Sequence, residues 1–110
     1  ARAEATLRSA RAFYYQTIEE AWLAAEAGER VSIEQRRDIR LATTHAVEAS
    51  IKTVNAMYTL GGGSAVYADS PLQRHLRDVH MTSQHIMVAP STLETVGRLY
   101  LGVDAQTSTL

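Results

Sequence analysis

Cysteine is absent from the 110 residues. Disulfide bonds and thiolate metal sites are therefore excluded, and any redox chemistry has to come from a bound cofactor. The same absence fits a reducing compartment, and a cytoplasmic protein is expected. A charge imbalance is lacking too. The 11 Lys and Arg meet 12 Asp and Glu for a formal net charge of −1, with both signs spread along the chain. No basic face suited to a phosphate backbone stands out, so nucleic acid is not an expected partner. No apolar run approaches the roughly 18 residues needed to cross a bilayer, and the opening with Arg2 and Glu4 is a charged helical pattern rather than a leader. Neither membrane spanning nor secretion is indicated. Proline occurs only 2 times and glycine 6 times, which leaves long stretches free of helix breakers. The chain opens at Ala1 without an initiator methionine, so a longer parent protein is expected.

What is present is helical periodicity. Leu7, Ala10, Tyr14, Ile18, Ala21 and Ala25 recur at three-to-four spacing, which predicts an amphipathic helix from Ala3 to about Ala27. Gly28 stops it, and Ser32-Ile33-Glu34-Gln35 reads as a capping box that opens a second helix running to about Leu60. Along that helix Ala42, Ala46, Ala49, Thr53 and Ala56 make a stripe of small side chains, which lets another backbone approach closely. Two long helices with a short turn between them predict an antiparallel hairpin. Gly61-Gly62-Gly63-Ser64 ends the second helix, and Asp69-Ser70-Pro71 supplies an N-cap and a proline at N1 for a third. The third helix passes through Leu72, Leu76, Val79 and Ser83 to about His85, and Pro90 breaks the pattern. Ser91-Thr92-Leu93-Glu94 reads as a second capping box, opening a short helix to about Leu101. With no strand pattern and no internal repeat, the expected architecture is one all-α domain over residues 1–110, an up-down four-helix bundle.

Several side chains could carry chemistry. His75, His80 and His85 are spaced by five residues, a step that turns each imidazole by roughly 140° from the last and argues against a shared metal. No metal is expected. His45, mid-helix among small residues, reads as a hydrogen-bonded boundary histidine. Arg74, Asp78, Met81 and His85 follow steps of four, three and four and share a face of the third helix. They make either a solvated ion-pair face, with Arg74 and Asp78 paired, or one wall of a cleft whose other wall is the glycine loop. In the second case His85 could act near neutral pH as an acid, a base or a hydrogen-bond donor. The glycine run lacks both GxGxxG and the Lys-Ser/Thr of a P-loop, so it does not indicate an independent nucleotide-binding fold. Phe13, Tyr14, Tyr15 and Trp22 on the first helix are expected in the core, ahead of a stacking role against an aromatic ligand.

The stretch Leu60-Gly61-Gly62-Gly63-Ser64-Ala65-Val66-Tyr67, followed by Ser70-Pro71-Leu72-Gln73-Arg74-His75-Leu76-Arg77-Asp78, resembles the C-terminal domain of the acyl-CoA dehydrogenase superfamily. It is most similar to the type 2 branch found in two-component flavin monooxygenases. The helix order matches along the whole chain, with the recognisable motifs within residues 60–90. The resemblance implies a C-terminal four-helix bundle of a larger flavoenzyme, preceded by N-terminal helical and β domains and assembled as a homotetramer. It implies a flavin, FMN or FAD, contacted by Gly62, Gly63, Ser64 and Ala65, with Arg74 a flavin or substrate neighbour and Arg77 and Asp78 organising the helix. Many dehydrogenases of the family carry a catalytic glutamate in a Tyr-Glu-Gly-Thr motif, and those positions fall here on His85 and Ile86. Isoleucine cannot take a proton. The monooxygenase branch has a histidine at this point, so His85 is the implied catalytic residue. The implied function is an oxygenase component that takes reduced flavin from a partner flavin reductase, uses O₂, and oxygenates a small aromatic or heteroatom-bearing substrate. The alternatives are an FAD-dependent acyl-CoA dehydrogenase and a non-catalytic helical oligomerisation module.

Overall fold

The structure, a computed structural model, describes residues 1–108 and 110. Four α-helices follow one another: α1 (Arg2–Glu26), α2 (Ile33–Gly61), α3 (Pro71–Thr82) and α4 (Thr92–Tyr100), with a short 3-10 helix, Gly62–Val66, between α2 and α3. Among the described residues there is no strand, so the chain is all-α, as the periodicity implies. The capping box at Ser32 forms in full: its hydroxyl accepts the Gln35 amide at 3.1 Å and the Gln35 side chain accepts the Ser32 amide at 2.9 Å. Gly28, at φ +78, supplies the left-handed residue that ends the first hairpin arm.

Helix α2 is the spine. The other three α-helices each pack on it, and none of the three packs on another. The small-residue stripe explains why α1 can lie so close: Ala42 and Ala49 of α2 are buried, as are Ala10, Thr17 and Ala21 of α1. On its other flank α2 holds α3 through the half-buried Leu72, Leu76 and Val79, and α4 through buried Val96. Thr44, almost fully buried, shares a 2.9 Å hydroxyl bond with Thr92 of α4. A central helix with neighbours on separate faces gives an elongated body of 51 × 27 × 22 Å and a radius of gyration of 16.7 Å. A compact chain of this length would measure about 13 Å.

Three local expectations need correction. Tyr15 and Trp22 are exposed, Trp22 at 63%, while Phe13 and Tyr14 are only half-buried. The reason is geometric: α1 meets α2 alone, small residues occupy that contact face, and one residue step turns a side chain about 100° away from it. Helix α3 ends at Thr82 and does not reach His85. There the Thr82 and Ser83 hydroxyls bond to the Asp78 and His80 carbonyls, and the backbone tightens into i→i+3 bonds from Gln84 to Met81 and from His85 to Thr82. The expected capping box at Ser91 does not form. Ser91 sits in helical rather than extended backbone, its side chain makes no cap bond, and the Thr92 and Leu93 amides already donate to Ala89 and Pro90.

Candidate functional site

The glycine run is divided by the fold. Gly61 closes α2, and a Cβ there would stand 2.7 Å from Leu72 Cδ1, so its smallness serves the packing of α3. Gly62 has φ +56 and ψ −144, a conformation that in effect only glycine adopts. Gly63 has neither constraint: a Cβ there would meet nothing within 4 Å and its φ is ordinary. Gly62, Gly63 and Ser64 are all exposed. The Ser64 hydroxyl donates back to the Gly61 carbonyl at 2.6 Å, which holds the loop in shape. Ala65 is fully enclosed, which leaves it no surface for a direct contact and makes it the inner support of the loop.

Arg74 stands one turn into α3, exposed, near the glycine loop, because Gln73 bonds the Val66 carbonyl and ties the start of α3 to the 3-10 helix. No ion pair joins Arg74 to Asp78 among the described residues, so the expected i, i+4 pair is not made. Arg77, Asp78 and Met81 are exposed as well. His75 is exposed, and His80 is bridged to Asn55 of α2 at 3.2 Å. His45 is half-buried with its ring 6.5 Å from that of Phe13, the boundary position its sequence context implies.

His85 lies beyond the helix, exposed in the turn that leads to α4. Its Nδ1 accepts the Met87 amide at 3.2 Å, and Nε2 is the ring nitrogen left to face a ligand. The glycine loop and His85 therefore sit at opposite ends of α3. A helix of that length spans about 18 Å, so the two do not form facing walls of one cleft. Arg74 goes with the glycine loop, while His85 goes with the α3–α4 turn and the start of α2.

The surroundings of His85 hold side chains that sequence reading passed over. Arg40 of α2 is 8% exposed and donates to the Met87 carbonyl at 2.7 Å. Burial, and then the neighbouring charge of Arg36, lower its pKa from the usual arginine range. Arg40 borders a cavity of about 240 Å³ lined with Ile86, Met87, Ser91, Thr92 and Thr95. On its other side a cavity of about 400 Å³ is shared with Arg36, Ile39, Thr43 and Met87. Farther along, Arg37 grips Asp38 through two bonds of 2.8 and 3.1 Å, Tyr100 donates to the same carboxylate at 2.7 Å, and the Arg37 guanidinium lies 4.0 Å over the Tyr100 ring. The only cue in the sequence is that Arg37, Arg40 and Thr44 step by three and four along one side of α2, the side that receives α4.

The chain is a four-helix domain with an exposed glycine loop at one end of its third helix and an exposed histidine just past the other. Residues 1–90 match the family described as acyl-CoA dehydrogenase, C-terminal domain, and the chain belongs to that family. It is 36% identical over 102 residues to an indole-3-acetate monooxygenase of Pseudomonas putida, covering 93% of this chain and 26% of that protein. It is 33% identical over 106 residues to a pigment production hydroxylase of Rhodococcus erythropolis, covering 96% of this chain and 27% of that one. The crystal structure of the HsaA monooxygenase from M. tuberculosis superposes with a TM-score of 0.93 at 21% identity, over the whole of this chain and 29% of that one. The chain thus spans about a quarter of the length of the curated relatives it matches.

Proposed function

We propose that this chain is the C-terminal helical-bundle domain of a larger cytoplasmic flavoenzyme, the oxygenase component of a two-component flavin monooxygenase. The observation that carries the reading is the α3–α4 turn. It presents an imidazole at His85 and an isoleucine at Ile86, with both side chains exposed and no carboxylate between residues 83 and 91. The glutamate that takes the proton next to a thioester carbonyl in many dehydrogenases of the family has no counterpart at Ile86. Handling a proton at an oxygen suits a histidine. Similarity along nearly the whole chain to proteins named as monooxygenases and hydroxylases supports the same reading.

The residues fit a flavin. Gly62, Gly63 and Ser64 are exposed and no side chain projects from the two glycines, which leaves a bare strip of backbone that an anionic ring edge or a phosphate can approach closely. Arg74 adds a nearby positive charge, and Ala65 supports the strip from within. The distance between this strip and His85 suits contacts to separate parts of a nucleotide, or to flavins of two protomers in a homotetramer. Reduced flavin, as FMN or FAD, supplies when bound the electrons that activate O₂. His85 donates a hydrogen bond from Nε2 to the reacting oxygen or to the substrate and tunes proton transfer there. The substrate is small and aromatic or heteroatom-bearing, and the reduced flavin comes from a partner flavin reductase.

The test is a rapid-mixing experiment on the whole protein. Anaerobically reduced flavin is mixed with O₂, and the return of oxidised-flavin absorbance is followed with and without protein. The reading expects the protein to delay that return well beyond the rate of free flavin. Undelayed return, together with bleaching of bound flavin by acyl-CoA thioesters, would replace it with a dehydrogenase.

A further inference from the structure

We propose that Arg40 is a positioning residue for His85, acting through residue Met87. The inference rests on the reading of His85 as the group that faces flavin or substrate. From Gln84 to Ile86 every side chain is exposed, Ile86 at 75%, and only Met87, at 40%, lies toward the α2 face, so this stretch has little apolar anchorage. Hydrogen bonds hold it instead. The Arg40 guanidinium, fixed in the α2 face, donates to the Met87 carbonyl at 2.7 Å. The Met87 amide donates to His85 Nδ1 at 3.2 Å, and the Val88 amide donates to the His85 carbonyl at 3.0 Å. Met87 is thus held from both sides, by α2 through its carbonyl and by His85 through its amide.

The arrangement sets a proton as well as an angle. An Nδ1 that accepts an amide must carry a lone pair, so the neutral ring bears its proton on Nε2. Nε2–H is the donor that the proposed chemistry requires, and a ring free to exchange tautomers would present it only part of the time. Burying an arginine is costly in itself, because the charge leaves water. The 2.7 Å bond to the Met87 carbonyl gives the buried guanidinium a partner that offsets part of that cost.

The experiment uses the whole protein with ¹⁵N-labelled histidine and reads the ring nitrogens of His85 by long-range ¹H–¹⁵N correlation at a pH where the ring is neutral. The wild type is expected to show a single Nε2–H tautomer. Arg40→Met is expected to give a mixture of the two tautomers and to lower turnover about 10-fold or more, with flavin affinity unchanged. Arg40→Lys, which keeps a donor, is expected to recover part of both. An Nδ1–H ring in the wild type overturns the proposal without any variant, so it stays testable even if Arg40→Met does not fold. An Arg40→Met protein that folds and keeps the single Nε2–H tautomer overturns it as well. A changed tautomer with unchanged turnover supports the positioning chain and instead removes His85 from the chemistry, which separates this failure from that of the function.

Discussion

At the scale of single residues, the glycine loop separates two kinds of need. Gly62→Ala places a Cβ on a backbone at φ +56 and is expected to destabilise the chain by about 1–3 kcal/mol. Gly63→Ala meets open space and an ordinary φ. It should leave the unfolding midpoint nearly unchanged while weakening flavin binding in the whole protein, and unchanged flavin affinity would count against the loop as a flavin contact. Thr53 gives a prediction of opposite sign. Its hydroxyl is buried without a partner, so Thr53→Val is expected to raise stability by about 1 kcal/mol in urea unfolding. Asp38 governs the response to acid. Its carboxyl is held below its ordinary value of 3.8, first by the Arg37 bonds and then by the Tyr100 hydroxyl. A depressed folded-state pKa stabilises above the unfolded value and is lost as pH falls through the lower folded one, so stability declines below about pH 5. Tyr100→Phe should cost about 0.5–1.5 kcal/mol at neutral pH and flatten that acid decline, measured as unfolding midpoints across the range.

At the scale of elements, two serine-led motifs that look alike in sequence behave differently. Ser32 caps α2 through a reciprocal pair of bonds, while Ser91 makes none. Ser32→Ala is therefore expected to cost about 1 kcal/mol, and Ser91→Ala close to nothing, with thermal unfolding of the two variants as the check. The difference lies in what precedes each serine. Ser32 follows an open turn and takes extended backbone, whereas Ser91 follows Ala89-Pro90, whose carbonyls already accept the Thr92 and Leu93 amides. The end of α3 follows the same logic. Its apolar spacing runs on to Ser83, but hydroxyls at Thr82 and Ser83 compete for the last carbonyls and release the chain before His85.

At the scale of the whole chain, the buried apolar residues among the described ones are five alanines and one valine, while Leu7, Tyr15, Trp22, Leu23, Leu60, Tyr67 and Met81 are exposed. A core of that kind brings helices close but removes little apolar area from water. The exposed side chains therefore favour association. With a single tryptophan, 63% exposed on α1, the chain reports on this directly. Raising its concentration should shift Trp22 emission to shorter wavelength as neighbours cover the ring, in step with a larger sedimentation coefficient. Emission and sedimentation that do not change with concentration would show the α1 face to be stable in water.

Helix number, order and approximate bounds, the all-α class, the Ser32 cap and the α1–α2 contact through small residues were all legible in the sequence. Each depends on short-range spacing, which the chain carries in its own order of residues. The glycine run and the family likeness were legible for the same reason. Only the tertiary structure decided which side chains meet across distance: Arg40 with Met87, Tyr100 with Asp38, Thr44 with Thr92 and His80 with Asn55. It also decided which of the glycine-loop residues are open and which enclosed, and that His85 stands clear of the helix. Those outcomes turn on how three helices share the faces of α2, and no local pattern encodes the rotation of one helix against another.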